Sequence, residues 1–164
     1  MNVDTDAIRR LRDHLLAAPA AARGSPDAER CSTPEALLRR VEPFAETMFL
    51  MMGADDHRAD VEHEAMRAAL ATLTDGALTA TDLEILLNSF QANLERDGRE
   101  GRLARIGAWI SRDRDDRETA FALAAAVAMA DDRVDVAENR ALDWVREYYG
   151  LSDRQVRGVL DADG

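Results

Sequence analysis

From residue 43 onward, apolar positions recur at the three-and-four spacing of a helix, and the strict alternation expected of strands is nearly absent. Phe44, Met48, Phe49 and Met52 mark one helical face, and Val61, Met66, Ala69, Leu70 and Leu73 mark a second. Leu83, Leu86, Leu87, Phe90 and Leu94 form a wide core-facing stripe. Gly98 and Gly101 break the chain before a short helix carrying Leu103, Ile106, Trp109 and Ile110. Residues 116–130 are small and apolar on several sides, which predicts a central helix with close neighbours all round. Residues 135–149 end at Gly150, placed as a C′ glycine, and a last helix follows Ser152, whose spacing to Gln155 is that of a capping box. The pattern predicts an all-α fold.

The first 42 residues read differently. Ile8, Leu11, Leu15 and Leu16 give residues 4–18 a helical stripe, and the Ala- and Pro-rich stretch 17–26 reads as a linker. All four prolines, Pro19, Pro26, Pro34 and Pro43, lie within the first 43 residues. Thr33 before Pro34 has the order of an N-cap followed by proline at the first helical position, and Pro43 reads as the entrance to the next helix in the same way. The expected division is residues 1–32 as an N-terminal helix with a flexible linker, and residues 33–164 as an all-helical domain.

Charge narrows the classes of partner. The 164 residues carry 21 basic against 32 acidic side chains, a formal charge of −11, which opposes phosphate backbones and anionic headgroups. Nucleic acid is therefore not expected as a partner. Every basic residue is arginine, so lysine Schiff-base chemistry and the phosphate-binding lysine of a P-loop are both excluded. The single Cys31 permits no intramolecular disulfide, which fits a reducing cytoplasm. The greasiest stretch, Phe44–Gly53, is about half of the roughly 20 residues that a bilayer requires. A cytoplasmic location is expected, without direct membrane insertion.

Two segments match each other without a gap: Ala54-Asp55-Asp56-His57-Arg58-Ala59-Asp60-Val61-Glu62 and Ala130-Asp131-Asp132-Arg133-Val134-Asp135-Val136-Ala137-Glu138. Each follows an apolar helix and precedes an amphipathic one. Met66 and Ala69 then correspond to Leu142 and Val145, Leu78-Thr79 to Leu151-Ser152, and Leu83, Leu86 and Leu87 to Val156, Val159 and Leu160. This reads as a pseudo-twofold duplicated unit of helix, acidic turn, helix and capped helix.

On these residues the chain resembles the TerB-like family, named for tellurite resistance, whose hallmark is an apolar helix followed by Ala-Asp-Gly-x-aliphatic-x-x-x-Glu. Ala130, Asp131, Val134 and Glu138 match it, with Asp132 in place of the glycine; in the first copy Asp56 replaces the glycine and Arg58 the aliphatic residue. The resemblance runs from Pro43 to about Ala162. It implies a compact multi-helix domain of bacterial stress-response and tellurite-resistance systems, also found as a module in membrane-associated J-domain co-chaperones, and a scaffolding or metal-sensing component in place of an enzyme. The partners it implies are other proteins of a stress-response or defence system, membrane-associated ones included.

The acidic turns carry the candidate chemistry. Laid over an EF-hand loop, their first two ligand positions fall on Met51 and Gly53, and on Val127 and Met129, none of which offers a side-chain oxygen, so a true EF-hand is excluded. Helix capping is one reading, with Asp135 as N-cap and Glu138 at the third helical position. The other is a shared acidic face of Asp55, Asp56, Glu62, Asp131, Asp132 and Glu138, whose oxygen-only donors suit a weakly bound Ca²⁺, Mg²⁺ or Mn²⁺.

Two alternatives compete with a non-enzymatic binding module. One is a metal-dependent enzyme built on His57, Asp60 and His63, although a di-iron bundle would need two Glu-x-x-His pairs and only one Asp-x-x-His is present. The other is an interaction domain of a larger phage-defence or co-chaperone assembly. Trp109 with Phe121, and Trp144 with Tyr148 and Tyr149, read as packing anchors. The mixed run from Arg112 to Arg117 reads as a solvated turn with local ion pairs.

Overall fold

The computed structural model describes residues 9, 12–13, 34–52, 59–110, 114–128 and 136–162, without the side chains of some residues at helix ends. Among the described residues there are helices and turns and no strands, in agreement with the pattern of apolar positions. The helices are α1 (Pro34–Met52), α2 (Ala59–Leu73), α3 (Ala80–Ile110), α4 (Arg114–Ala128), α5 (Val136–Tyr148) and α6 (Asp153–Ala162).

Helix α1 begins at Pro34, where the missing N–H of proline costs nothing. It does not restart at Pro43, as the sequence suggested, but continues through it to Met52. An interior proline removes one backbone hydrogen bond and costs about 3 kcal/mol. Tertiary burial offsets that cost: Val41, Phe44, Ala45, Met48, Leu50, Met51 and Met52 are all buried, on almost every side of the helix. The Thr47 hydroxyl also donates to the Pro43 carbonyl at 2.8 Å.

The glycine break is real at one of its two expected positions. Gly98 has φ 71° and ψ 163° and divides α3 into two arms, in a region of backbone space that is essentially glycine-only. Gly101 instead lies inside the second arm and does not interrupt it. The first arm buries Leu83, Leu86, Leu87 and Phe90, and the second buries Leu103, Ile106 and Ile110.

Helices α1 and α4 make the most extensive pairing and form the centre of the molecule. Helix α4 buries Ala120, Phe121, Leu123, Ala124, Ala125, Val127 and Ala128, and its small side chains let α1, α5 and α6 approach it. Its central place was expected; that α1 shares it was not. Helix α3 packs on α1 and α5, and α2 packs on α1 and pairs Arg67 with Glu84 of α3, with Met66, Ala69, Leu70 and Leu73 buried.

Two junctions share a local design. After α2, the amides of Asp75 and Gly76 bond to the carbonyls of Thr72 and Ala71; after α5, those of Gly150 and Leu151 bond to Glu147 and Arg146. Both are Schellman closures, with Asp75 (φ 53°) or Gly150 (φ 66°) in the left-handed position. Each is followed by a capping box. Thr79 exchanges bonds with Asp82, whose carboxylate accepts from the Thr79 amide at 2.9 Å, and Ser152 exchanges bonds with Gln155, whose Oε1 accepts from the Ser152 amide at 3.1 Å. The Gly150 terminus and the Ser152–Gln155 box are as the sequence predicts. Among the described residues, no helix is long and apolar enough to cross a membrane.

Candidate functional site

Of the residues expected to form an acidic face, Asp55, Asp56, Asp131 and Asp132 lie outside the described residues, and Glu62 and Glu138 are described only as backbone positions in α2 and α5. His57 and Cys31 also lie outside, as does the linker within residues 1–32; Asp60 and His63 are placed in α2 without their side chains. Among the described residues, no group of three or more His, Cys, Asp or Glu side chains could hold a metal ion.

The described residues do bring together a polar site that local sequence patterns did not mark. On α1, residues 39, 42, 43 and 46 share one face by the i, i+3, i+4, i+7 rule; on the second arm of α3, residues 102, 105, 106 and 109 do the same. The two faces enclose a cleft of about 320 Å³. Glu46 lies at its base with a side chain only 3% exposed. Arg102 meets it as a two-pronged fork, with Nε donating to Oε1 and Nη2 to Oε2, both at 2.8 Å. Asn93 Nδ2 donates to the same Oε1 at 3.3 Å.

The third arm of that guanidinium, Arg102 Nη1, donates to Asp97 Oδ2 at 3.3 Å. Asp97 also accepts from Arg96 Nε at 3.1 Å and Nη2 at 2.9 Å, and Arg105 stands 3.5 Å away. The hydrogen bond from Arg96, reinforced by that from Arg102, holds the Asp97 carboxyl at about 2. Glu42 behaves oppositely. Burial, and then the nearby Glu46 charge, push its carboxyl upward against the pull of Arg102 and Arg39.

Trp109 corrects an expectation. The sequence pattern makes it a packing anchor with Phe121, and Phe121 is indeed buried, but Trp109 is 59% exposed at the rim of the cleft. The α3 stripe turns past the core at that point: Ile106 and Ile110 face inward, and position 109 falls on the outer side. Tyr149 is buried as expected, with Trp144 and Tyr148 packed partly against the core. The Tyr149 hydroxyl meets Thr47 Oγ1. Because the only hydroxyl hydrogen of Thr47 goes to Pro43, the tyrosine is the donor, and burial pushes its ionisation upward.

A second, wider depression of about 900 Å³ lies between α4 and α6. Glu118 accepts there from Arg114 Nε and Gln155 Nε2, each at 2.8 Å, which ties the first turn of α4 to the cap of α6. Arg117 from the same mixed-charge run points Nη1 at the carbonyls of Tyr149 and Gly150, at 3.5 and 3.4 Å, so the run helps to close the C-terminus of α5.

One sequence signal could have exposed the buried pair: Glu46 is the only charge in the apolar stretch Phe44–Met52. Its partner Arg102 lies 56 residues away, in a stretch with many arginines and no pattern that singles one out.

Comparison with curated proteins and with solved structures found no match. A family model does match, and it covers the same helices, from Pro43 inside α1 to Leu160 near the end of α6. Because that model, described as tellurite resistance protein TerB, spans residues 43–160 and so most of the 164, the chain belongs to the TerB family.

Proposed function

We propose that the chain is a non-enzymatic binding module of a stress-response or tellurite-resistance type of system, and that its two acidic turns contact a divalent cation or a basic surface on a partner protein. The observation that carries this reading is where the helices bounding the two acidic segments end and begin. Asp55 and Asp56 follow the C-terminal end of α1 at Met52, and Asp131 and Asp132 follow that of α4 at Ala128. A helix C-terminus carries roughly half a negative charge, so aspartates just beyond it raise the local energy by tenths of a kcal/mol each. Neither α1 nor α4 has a basic residue in its last turn to relieve this. A bound cation would relieve it at both turns, and the two helices concerned are the pair most extensively packed on one another.

Isothermal titration with Ca²⁺, Mg²⁺ and Mn²⁺ tests the cation form of the proposal. Saturable heat with at least one of them at millimolar metal, abolished by combined Asp55→Asn, Asp56→Asn, Asp131→Asn and Asp132→Asn substitution, is the expected result. Absence of heat with all three would remove the cation and leave only the protein-contact form.

A further inference from the structure

We propose that the cleft between α1 and the second arm of α3 binds a small monoanionic carboxylate carried on a flat apolar ring, with Trp109 stacking on the ring and Arg39 and Arg105 holding the carboxylate. This site is separate from the acidic turns and stands or falls independently of them.

Three observations converge on that chemistry. The first is size and wall. About 320 Å³ lies at the lower end of the roughly 300–1,000 Å³ of small-ligand pockets, which suits one or two fused rings. Ile106 and Pro43 supply buried apolar wall, and the indole of Trp109 stands 59% exposed above it. Phe44, Phe90, Phe121 and Tyr149, by contrast, are exposed by 4% or less. An exposed indole next to arginines offers a stacking face for a planar group.

The second is the sign of the charge. Three arginines and two glutamates line the cleft, a formal +1 on a chain of −11; adding Arg96 and Asp97 just behind it leaves the balance at +1. Arg102 is already occupied, because Nε, Nη1 and Nη2 all donate to Glu46 or Asp97, and Glu46 in turn is held by Arg102 and Asn93. Arg105 is different: its side chain is 65% exposed, and among the described residues its ion-pair contact is the long 3.5 Å one with Asp97. Arg39 is exposed on the facing helix. The buried fork thus forms a neutralised floor, and Arg39 and Arg105 line the cleft around it.

The third is Glu42, a half-buried carboxyl lining the cleft whose charge is disfavoured in place, by burial and then by Glu46. A carboxyl whose charge is disfavoured opposes an entering anion less than a freely ionised one does. The overall negative field limits the choice further: it repels multiply charged anions, so a single charge with a large apolar body is favoured over a polyphosphate.

The probes are 1-naphthoate, the neutral 1-naphthalenemethanol and acetate, titrated into the full chain by calorimetry, with the Trp109 indole N–H followed by NMR. We expect 1-naphthoate to bind saturably and shift that resonance, with each of the other two at least tenfold weaker. Trp109→Ala and Arg105→Ala replace exposed side chains, so their thermal unfolding should match that of the parent while each weakens 1-naphthoate by tenfold or more. No saturable binding at millimolar 1-naphthoate, equal binding of the neutral alcohol, or unchanged affinity in folded Trp109→Ala would each overturn the proposal.

Discussion

Arg102 and Glu46 face each other across α3 and α1 through two parallel hydrogen bonds of 2.8 Å, with the glutamate 3% and the arginine 14% exposed. Such a pair gains little over apolar packing when intact, because both ions lose hydration, but removing one partner strands a buried charge. Arg102→Leu should therefore cost about 3–5 kcal/mol in urea unfolding, whereas Glu46→Met combined with Arg102→Leu should recover most of the loss. A single variant within about 1 kcal/mol of the parent would show that water, not Arg102, satisfies Glu46.

Two carboxylates near this pair make opposite contributions to the pH dependence of stability. Asp97 has its folded value lowered to about 2, chiefly by Arg96 and then Arg102. Its contribution is complete above the ordinary carboxylate range of about 4 and is lost as pH falls from there toward 2. Asp97→Asn should flatten the acid limb of the stability curve in that window, measured by denaturant unfolding at successive pH values.

Glu42 has its folded value raised by burial and by Glu46, with Arg102 and Arg39 opposing. The stability it contributes is present at low pH and is lost as pH rises through that raised value. Glu42→Gln should accordingly be more stable than the parent at neutral pH. The gain should vanish below about pH 4, where the parent carries the proton in both states.

How far the sequence discloses the molecule depends on the range of the interaction concerned. Helix interiors are legible because Leu83, Leu86, Leu87 and Phe90, or Ala120, Phe121, Leu123, Ala124, Val127 and Ala128, repeat one short-range rule, and all of them are buried. Caps are legible for the same reason, as at Gly150 and at Ser152 with Gln155. Pro43 misleads because its local cost is outweighed by the burial of α1 on several helices at once, which no window of a few residues contains. Trp109 misleads because the periodicity places it within reach of the core, and only the packing of α1 against α3 decides which side of the stripe remains open. The cleft is composed of two such faces from distant segments, and no spacing within either one announces the other.

The capping boxes predict matched losses at two distant places. Thr79 Oγ1 accepts from the Asp82 amide at 3.2 Å, and Ser152 Oγ from the Gln155 amide at 3.4 Å. Thr79→Ala and Ser152→Ala should each destabilise by about 1 kcal/mol. The two sites share no partner, so the double variant should show the sum of the single losses in denaturant unfolding.

Three glycines of α3 should respond to alanine in three ways, for reasons visible at each position. At Gly101 a new Cβ would find its nearest neighbour, Asp97 Cβ, at an ordinary 3.7 Å, so Gly101→Ala should stabilise by about 0.5–1 kcal/mol through lower backbone entropy in the unfolded chain. At Gly98 the space is open, but φ 71° with ψ 163° is denied to side-chain-bearing residues, and Gly98→Ala should cost about 1–3 kcal/mol. At Gly107 the backbone is helical and the obstacle is α5. A Cβ there would lie 2.7 Å from the Tyr148 carbonyl carbon and 2.9 Å from Tyr149 Cδ1, closer still to the Tyr148 oxygen. Backbone cannot swing aside as a side-chain tip can, so Gly107→Ala must push α5 off α3 and should cost at least the 1–3 kcal/mol of an overpacked core, despite the better helix propensity of alanine. Thermal unfolding of the three single variants checks the order Gly101→Ala above the parent, and Gly98→Ala and Gly107→Ala below it. Only Gly107→Ala should also change the environment of the buried Tyr149, read by near-ultraviolet circular dichroism, because only there does the added carbon meet that ring.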